Sequence, residues 1–260
     1  MILEGKTILI SGVGPGLGRE IASRVLRDGG NAVIGARKAD SLEAAAKELD
    51  PSGERVLAHA FDITDAESCA GIVAAAEERF GHLDGLAQVA AAEPMGDLQT
   101  TPIDDFRTST EVNVIGSVQL VKAAVPAFER AGGGSVVLIG SQSTELPPPS
   151  PQLAYSASKG ALRAVSIALS TELGPKKIRV NTVVPTWMWG PPVQGYITWQ
   201  ANERGVSEDV VKDEIESLFS LGEIPADDDV AEAVVLFLSD RMRMVTGEFL
   251  RVDAGQLKRL

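Results

Sequence analysis

Tyr155 and Lys159 stand four residues apart and carry side chains that could work together in proton transfer. Residues at i and i+4 share one face of a helix, so the phenol and the ammonium can approach each other. A nearby positive charge stabilises the phenolate and lowers the pKa of a tyrosine, which is ordinarily ~10. A tyrosine whose pKa moves toward neutrality can donate and accept a proton in catalysis. For the pair alone, the alternative is a packed tyrosine beside a solvated lysine.

A glycine-rich turn follows the first apolar run of the chain. Residues 6–10 have the composition of a buried strand, and residues 19–27 have the apolar spacing of a helix. The glycines between them follow the pattern G-x-x-x-G-x-G at Gly12, Gly16 and Gly18. A strand, a glycine turn and a helix N-terminus in this order direct backbone N–H groups toward a pyrophosphate. For the turn alone, the alternative is an ordinary glycine-rich loop.

Predicted strands and helices alternate along the chain, which favours a parallel sheet covered by helices on both faces. The predicted strands are residues 6–10, 31–36, 55–61, 86–90, 135–139, 179–184 and 248–252. The predicted helices are residues 19–27, 41–49, 65–80, 104–130, 152–173 and 230–238. Two connections, residues 141–152 and 185–226, are long, and long connections in compact domains are usually functional.

The composition is that of a soluble globular protein. The chain has 260 residues, 44% of them hydrophobic, and contains no apolar run long enough to span a membrane. This length fits one α/β domain covering residues 1–260. The N-terminal residues lack the basic and apolar segments of a secretion signal, and the one cysteine, Cys69, fits a reducing compartment. We therefore expect a cytoplasmic protein.

Charge and residue spacing argue against two classes of function. The net charge is −12, whereas nucleic-acid binding requires clustered Lys and Arg to neutralise phosphates. The densest basic clusters, residues 176–177 and 258–259, are only two residues long. His59 and His82 have no spaced Cys or His companions, so we expect no metal site. The sequence favours an enzyme that acts on a small molecule, without a nucleic-acid or membrane partner.

The glycine turn and the Tyr155/Lys159 pair together resemble the short-chain dehydrogenase/reductase family. The resemblance covers residues 5–255, and its most specific part is the order of the glycine turn, Asn113, Ser141, Tyr155 and Lys159. It implies a single-domain, Rossmann-type α/β fold, a doubly wound parallel sheet of about seven strands with helices on both faces. It further implies an NAD(P)(H)-dependent oxidoreductase that transfers a hydride between nicotinamide and a secondary alcohol or ketone.

The resemblance assigns catalytic roles to four residues. Tyr155 would donate a proton to the carbonyl oxygen or remove one from the alcohol, and Lys159 would lower the Tyr155 pKa and bind ribose. Ser141 would hydrogen-bond the substrate oxygen, with Ser143 as the alternative, because the spacing to the tyrosine differs from that of the family. Asn113 would position a water molecule that passes protons to the lysine.

Arg37, just after the second predicted strand, predicts a preference for NADP(H), with NAD(H) as the alternative. Ala36 stands where an acidic residue would bind the ribose of NAD, and a guanidinium can hold a 2′-phosphate. By resemblance, Asp62 and Ile63 hold the adenine edge, although Asp62 could instead cap a helix. The predicted cofactor contacts are Ser11, Gly12, Gly14, Gly16, Leu17, Gly18, Arg37, Asp62, Ile63, Ala90, Tyr155, Lys159, Pro185 and Met188.

The sequence departs from the family pattern at several places. Residues 88–91 are Gln-Val-Ala-Ala where the family has Asn-Asn-Ala-Gly, and Pro185 is followed by Thr186 instead of glycine. Gly190 stands where relatives often have a threonine that binds the nicotinamide amide. The serine-to-tyrosine spacing is one residue longer than in the family, and we place the extra residue in the proline loop at 147–149. These differences predict altered contacts at the nicotinamide end of the site.

The connection at residues 186–226 resembles the variable substrate loop of the family and is predicted to act as a lid. All three tryptophans lie between Trp187 and Trp199, near Met188 and Tyr196. If these side chains line the pocket, they favour a bulky apolar substrate such as a sterol, a cyclic terpenoid or an acyl chain. The predicted substrate contacts are Ser141, Ser143, Tyr155, Trp187 and Trp189. A subunit contact or helix packing is the alternative role of the aromatic rings.

Two further expectations concern partners. Relatives associate through the tyrosine-bearing helix and the long helix before it, so the resemblance implies a homo-oligomer, either a tetramer or a dimer. A second function stays open: a catalytically weak NAD(P)-binding redox sensor that contacts a protein partner. The departures at residues 88–91 and 185–186 favour the sensor, whereas the intact set of catalytic residues favours the enzyme.

Overall fold

The computed structural model describes residues 1–147 and 151–258, and its central feature is a seven-stranded parallel sheet. The strands are β1 (Thr7–Ser11), β2 (Asn31–Ala36), β3 (Val56–Ala60), β4 (Gly85–Gln88), β5 (Gly134–Ile139), β6 (Ile178–Pro185) and β7 (Phe249–Val252). Their order is β3-β2-β1-β4-β5-β6-β7, and every neighbouring pair is parallel. The winding direction reverses between β1 and β4, and such a reversal opens a crevice at the carboxyl ends of the strands.

Helices cover both faces of the sheet. They are α1 (Leu17–Arg27), α2 (Ala39–Leu49), α3 (Ala66–Phe80), α4 (Ile103–Thr110), α5 (Ser117–Ala131), α6 (Leu153–Leu173), α7 (Pro191–Arg204), α8 (Glu208–Glu216) and α9 (Asp227–Leu238). α1, α2 and α9 pack on one face, and α3, α5 and α6 pack on the other. The central strands are apolar runs because both of their faces are buried under helices. This architecture confirms the predicted Rossmann-type doubly wound fold.

The helix predicted over residues 104–130 is interrupted in the structure. α4 and α5 are separated by a π-helical turn, Glu111–Gly116, that contains Asn113. The Asn113 side chain accepts a hydrogen bond from the N–H of Ala92 at 2.7 Å and donates one to its carbonyl oxygen at 2.8 Å. A π turn accommodates one extra residue and often marks a functional site. Apolar periodicity does not reveal such a turn, because the backbone stays helical on both sides.

The connection over residues 186–226 contains two helices that the sequence did not predict. α7 and α8 pack against each other through an apolar cluster, which we call the lid cluster: Ile197, Ala201, Val211, Ile215, Phe219 and Ile224. α7 begins with Pro191 and Pro192, residues that suit the first turn of a helix because their missing N–H groups need no partner there. The N–H of Trp189 donates to the carbonyl oxygen of Pro225 at 2.8 Å and joins the two ends of the connection.

The other predicted elements agree with the structure to within two residues at each end, apart from the start of α9. α9 begins at Asp227, three residues earlier than predicted. The Asp229 carboxylate accepts a hydrogen bond from the N–H of Ala226 at 2.9 Å, and this contact fixes the first turn. The apolar pattern that predicted the helix starts only at Val230, after three aspartates.

Within residues 1–147 and 151–258, no helix is long and apolar enough to span a bilayer. The same residues contain no group of three or more His, Cys, Asp or Glu side chains that could hold a metal ion. Two prolines of the loop at 147–149 lie outside the described residues, so the predicted place of the extra residue there stays a prediction.

Candidate active site

An open cleft of about 560 Å³ lies beyond the carboxyl ends of the central strands. Ligands of open parallel sheets bind at this edge, where the order of the strands reverses. The walls come from the glycine turn, the segment after β4, the loop after β5, helix α6 and the lid. Among the predicted site residues, the described lining includes Gly16, Leu17, Ser141, Ser143, Tyr155, Lys159, Pro185, Trp187 and Met188.

The glycine turn has the shape and the free donors that a pyrophosphate group requires. Gly12 has a φ of +79°, and a Cβ atom there would lie 2.4 Å from the backbone nitrogen of Ala90. A Cβ atom on Gly18 would lie 2.5 Å from the carbonyl oxygen of Gly12, so glycine alone permits this approach of α1. α1 begins at Leu17, and the preceding Gly16 provides no side-chain cap. Its first N–H groups can therefore bind an anion.

Tyr155 and Lys159 lie one turn apart on α6, and both line the cleft. The buried ammonium of Lys159 donates a hydrogen bond to the backbone carbonyl oxygen of Ile139 at 2.7 Å. Its Nζ atom lies 5.6 Å from the centroid of the tyrosine ring. Burial lowers the pKa of Lys159 to about 8, because loss of hydration disfavours the ammonium, and the charge of Glu93 acts in the opposite direction.

The half-buried phenol of Tyr155 has a raised pKa, which reverses the direction expected from the sequence. Loss of hydration is the largest cause, because it penalises the phenolate. The carboxylate of Glu93 raises the pKa further, while a hydrogen bond with Ser141 lowers it. In this arrangement Lys159 is directed to Ile139 and does not produce the predicted fall. The phenol is consequently protonated at neutral pH, the form that can donate to a carbonyl oxygen.

Ser141 and Ser143 both line the cleft, but only Ser141 influences Tyr155. Its hydroxyl lowers the pKa of the phenol. The hydroxyl oxygens of the two serines lie 2.9 Å apart, and the N–H of Ser143 donates to the Ser141 hydroxyl at 3.2 Å. Ser143 thereby orients the Ser141 hydroxyl.

Asn113 connects the π-helical turn to the turn of α6 that carries Tyr155. Its side-chain nitrogen donates to the hydroxyl of Ser158 at 2.9 Å. That hydroxyl donates in turn to the backbone carbonyl oxygen of Tyr155 at 2.7 Å. Because Asn113 also binds Ala92, it fixes the position of α6 relative to the segment after β4. Its predicted role with a water molecule stays a prediction.

Arg37 and Asp62 lie close together beyond β2 and β3. Arg37 is exposed and makes no hydrogen bond with the residues that the structure describes. Hydrogen bonds from the N–H and the hydroxyl of Thr64 hold the pKa of Asp62 below its usual value, and the charge of Arg37 contributes. Asp65, not Asp62, caps α3. Ile63 is buried. The guanidinium of Arg37 is exposed and can bind an anion.

Ser11 holds the segment at residues 88–91, where the sequence departs from the family pattern. The Ser11 hydroxyl accepts hydrogen bonds from the N–H groups of Val89 and Ala90 at 3.1 and 3.4 Å, and β4 consequently ends at Gln88. The side-chain nitrogen of Gln88 donates to the carbonyl oxygen of Ala90 at 2.8 Å. The buried Oε1 atom of Gln88 has no hydrogen-bond partner among residues 1–147 and 151–258. The backbone of this segment is therefore held by Ser11 and by the side-chain nitrogen of Gln88.

The aromatic residues of the lid divide between the cleft and the lid cluster. Trp187 and Tyr196 line the cleft, with ring centroids 5.0 Å apart in an edge-to-face arrangement. Trp189 packs against the lid cluster, and the ammonium of Lys212 lies 5.4 Å from its ring centroid. Trp199 is largely exposed. Trp189 is therefore outside the described lining, which differs from its prediction as a substrate contact.

Two carboxylates in the cleft were not predicted from the sequence. Glu93 stays open to solvent through the cleft, although surrounding protein atoms reduce its hydration and raise its pKa. Asp227 begins α9, and its Oδ2 atom would lie 3.2 Å from a Cβ atom on Gly16. Partial burial raises the pKa of Asp227, with smaller contributions from the charges of neighbouring acidic residues. Neither residue belongs to a sequence motif. They could not be predicted from the sequence, because they come to the cleft only when the chain folds.

Comparisons with known proteins agree with this geometry. A sequence-family model described as enoyl-(acyl carrier protein) reductase matches residues 12–256. A 2,5-dichloro-2,5-cyclohexadiene-1,4-diol dehydrogenase from Sphingobium indicum is 32% identical over 253 residues, covering 97% of this chain and 96% of that protein. An L-rhamnose 1-dehydrogenase (NAD(P)(+)) from Sphingomonas sp. is 29% identical over 256 residues, covering 98% and 97% of the two chains.

The fold is also similar to the folds of solved structures. L-sorbose reductase from Gluconobacter frateurii, in complex with NADPH and L-sorbose, gives a TM-score of 0.92 at 26% identity and covers 99% of this chain and 98% of its own. The matches extend over nearly the whole chain, and the fold brings the glycine turn and the Tyr155/Lys159 pair to one cleft. This protein is an oxidoreductase for alcohol or ketone substrates, and the chain belongs to the short-chain dehydrogenase/reductase family.

Proposed function

We propose that the protein is an NADP(H)-preferring oxidoreductase that interconverts a ketone and a secondary alcohol, with Tyr155 as the proton donor and acceptor. The observation that carries the proposal is the environment of the Tyr155 phenol. It lies in the cleft with Ser141, whose hydroxyl lowers its pKa, and stands one helical turn from Lys159. These groups surround a space in which a carbonyl oxygen could be bound and protonated.

Four residues have separate roles in the proposed reaction. The protonated phenol of Tyr155 donates to the carbonyl oxygen, and Ser141 hydrogen-bonds the same oxygen and orients it. The positive charge of Lys159 stabilises the phenolate that this transfer leaves behind. Asn113 positions the turn of α6 that carries both groups. NADP(H), when bound, supplies or accepts the hydride.

The preference for NADP(H) rests on Arg37, because its exposed guanidinium has no hydrogen-bond partner among the described residues and can bind a 2′-phosphate. The related L-rhamnose dehydrogenase is named for both cofactors, and the L-sorbose reductase structure contains NADPH. We also propose cofactor contacts by Ser11, Gly12, Gly14, Gly16, Leu17, Gly18, Asp62, Ile63, Ala90, Tyr155, Lys159, Pro185 and Met188. Arg37→Asp should weaken NADPH binding far more than NADH binding, and Lys47→Asp, on the exposed face of α2, is the charge-matched control. Equal weakening of both cofactors would reject the role of Arg37.

We propose a bulky, largely apolar substrate, such as a cyclic terpenoid, a sterol or an acyl chain. Trp187, Met188 and Tyr196 form an apolar wall of the cleft, and aromatic rings offer large contact areas to such molecules. The relatives are named for a ring diol and for a sugar, so the substrate panel must contain both cyclic ketones and keto sugars. Turnover confined to the keto sugars would reject the apolar substrate class.

The test of the reaction is NADPH oxidation, followed by absorbance, across this panel with the wild type and Tyr155→Phe. We expect the variant to lose at least about 10²-fold in turnover, the magnitude of general acid catalysis, and to bind NADPH normally. Normal NADPH binding without turnover of any ketone by the wild type would reject the enzyme. That outcome would favour the redox sensor, which the departures at residues 88–91 and 185–186 support.

We further propose that the protein is one domain over residues 1–260 and acts as a cytoplasmic homo-oligomer, a tetramer or a dimer. Apolar side chains are exposed along α4 and α6, with Ile103 at 65% and Ile167 at 52% exposure, which supports association through these helices. The free thiol of Cys69 fits a reducing compartment. Analytical ultracentrifugation of the wild type and of Ile167→Glu tests the assembly, since a monomeric wild type would reject it.

A further inference from the structure

Glu93 is a carboxylate of the cleft to which the proposed reaction gives no role. It lines the cleft with Tyr155 and Lys159, and its charge raises the pKa of both groups. Oε1 accepts a hydrogen bond from the side-chain nitrogen of Gln152 at 2.5 Å. Oε2 has no hydrogen-bond donor among residues 1–147 and 151–258. One carboxylate oxygen next to the reacting groups can therefore accept a hydrogen bond from a bound molecule.

The backbone holds Glu93 and Gln152 side by side. The N–H of Gly96 donates to the carbonyl oxygen of Pro151 at 2.8 Å, and the N–H of Leu153 donates to the carbonyl oxygen of Gly96 at 3.1 Å. On the other side of Glu93, the backbone of Ala92 is bound by Asn113 through both of its polar groups. The carboxylate thus stands on a segment fixed at both ends, as a recognition group requires.

The charge balance of the cleft selects the kind of group that Glu93 can bind. A carboxylate attracts either an ammonium or a neutral donor such as a hydroxyl. The buried ammonium of Lys159 lies one turn from Tyr155 and would repel a second cation beside the reacting groups, whereas the other carboxylate of the cleft, Asp227, stands at the glycine turn. Lys159 and Glu93 form no ion pair at contact distance. A hydroxyl meets no such repulsion and can donate to Oε2 while the reacting oxygen contacts Tyr155 and Ser141.

We propose that Glu93 selects substrates that carry a hydroxyl group beside the reacting carbon, namely α-hydroxy ketones in reduction and vicinal diols in oxidation. This inference rests on the proposed function and specifies its substrate class: an apolar ring or chain against Trp187 and Tyr196, with one hydroxyl directed to Glu93. Gln152 is a positioning residue in this site, because it holds the Glu93 carboxylate through Oε1 and leaves Oε2 free.

The test compares cyclohexanone with 2-hydroxycyclohexanone, two ketones that differ by the adjacent hydroxyl. kcat/KM is measured with NADPH for the wild type, Glu93→Leu, Glu93→Gln and Gln152→Leu. Glu78→Gln, which removes an exposed carboxylate of α3 outside the cleft, is the charge control. Circular dichroism and NADPH titration establish that each variant is folded and binds the cofactor.

We expect the wild type and Glu78→Gln to favour the hydroxy ketone by about tenfold or more, the effect of a charge-assisted hydrogen bond. Glu93→Leu should lose this preference, so that the ratio of its two kcat/KM values approaches one, whatever the change that both ketones share. Glu93→Gln and Gln152→Leu should fall between the two. Turnover of both ketones without preference, or a preference that persists in Glu93→Leu, overturns this inference alone. Turnover of neither ketone overturns the inference, and the proposed function falls with it only if the wild type also turns over no other ketone of the panel.

Discussion

The ammonium of Lys159 donates its hydrogen bond to the backbone carbonyl oxygen of Ile139, at the end of β5, and not to the phenol of Tyr155. Burial in this position lowers the pKa of the lysine to about 8, whereas loss of hydration raises the pKa of the tyrosine. Within the pH range of an ordinary assay, the lysine is therefore the group that changes charge. This relationship determines the pH dependence that we expect of the enzyme.

Ketone reduction should slow above a pH of about 8. A lowered lysine pKa means that the ammonium is present below about 8 and is lost as the pH rises through this value. The charge that stabilises the Tyr155 phenolate then disappears, while the phenol itself stays protonated. Profiles of kcat/KM for reduction between pH 6 and pH 10 measure the effect. The maximal kcat/KM of Lys159→Arg should be lower, but its decline on the alkaline side should begin at a higher pH, because a guanidinium keeps its charge. A flat wild-type profile would contradict the assignment.

Gly12→Ala should destabilise the fold and abolish cofactor binding. The new Cβ atom would lie 2.4 Å from the backbone nitrogen of Ala90, and the φ of +79° disfavours any side chain. We expect a loss of at least about 2 kcal/mol in the free energy of unfolding, measured by urea denaturation. Gly14→Ala is the matched control, since a Cβ atom there meets no protein atom within 4 Å. Equal destabilisation by both variants would show that the close approach at Gly12 is not what the turn requires.

Asp227→Asn should strengthen NADPH binding. The Asp227 carboxylate lies beside Gly16 of the glycine turn, where it repels the phosphates that the turn is predicted to bind. Removing the charge should lower the Kd roughly three- to tenfold at pH 8, as expected for like charges several ångström apart near a protein surface. Because the pKa of Asp227 is raised, the carboxylate protonates on acidification and the ratio of the two Kd values should shrink. Fluorescence titrations at pH 8 and pH 5 measure both quantities.

Asp228→Asn is the control for this prediction. Asp228 lies next to Asp227 in the first turn of α9, but its carboxylate accepts a hydrogen bond from Arg24 at 2.9 Å. Its charge is thus balanced by a guanidinium, and its removal should change the Kd for NADPH by less than about twofold. If Asp228→Asn binds NADPH more tightly and Asp227→Asn does not, the carboxylate that repels the cofactor is that of Asp228, and the prediction is wrong.

Glu145→Gln should destabilise the protein at neutral pH but not in strong acid. Bonds from Arg251 at 2.7 Å and from Arg163 at 2.5 Å lower the pKa of the Glu145 carboxyl from 4.5 to about 2. The depressed pKa means that this stability is fully present above pH 4.5 and is lost as the pH falls toward about 2. The difference in unfolding free energy should be about 3 kcal/mol at pH 7 and smaller at pH 3.

Urea denaturation of the wild type and the variant at these two pH values measures this difference. Glu77→Gln removes the carboxylate of the Glu77–Arg130 pair, which is more exposed, and should change the unfolding free energy much less than Glu145→Gln does at pH 7. A Glu145→Gln effect as large at pH 3 as at pH 7 would mean that the side chain contributes through packing and not through its charge.

The sequence alone predicted the order of the strands, the helices outside residues 186–226, the glycine turn and the position of Tyr155 and Lys159 one turn apart on a helix. These features are local: apolar runs give strands, periodic spacing gives helices, and backbone bends require glycine. Even there, the local pattern missed the π-helical turn, in which Asn113 contacts Ala92 from a distant part of the chain. The two lid helices were also missed, and their apolar residues pack against one another in the lid cluster.

The tertiary structure decided what faces the cleft and with what charge. Glu93 and Asp227 reach the cleft from segments far apart in the chain, and Trp189 is turned away from it into the lid cluster. The direction of the Tyr155 pKa shift also depended on the fold, because burial and the position of the Lys159 ammonium outweigh the i, i+4 spacing. Spacing fixes which side chains share a helix face, whereas hydration and long-range contacts arise only when distant segments pack together.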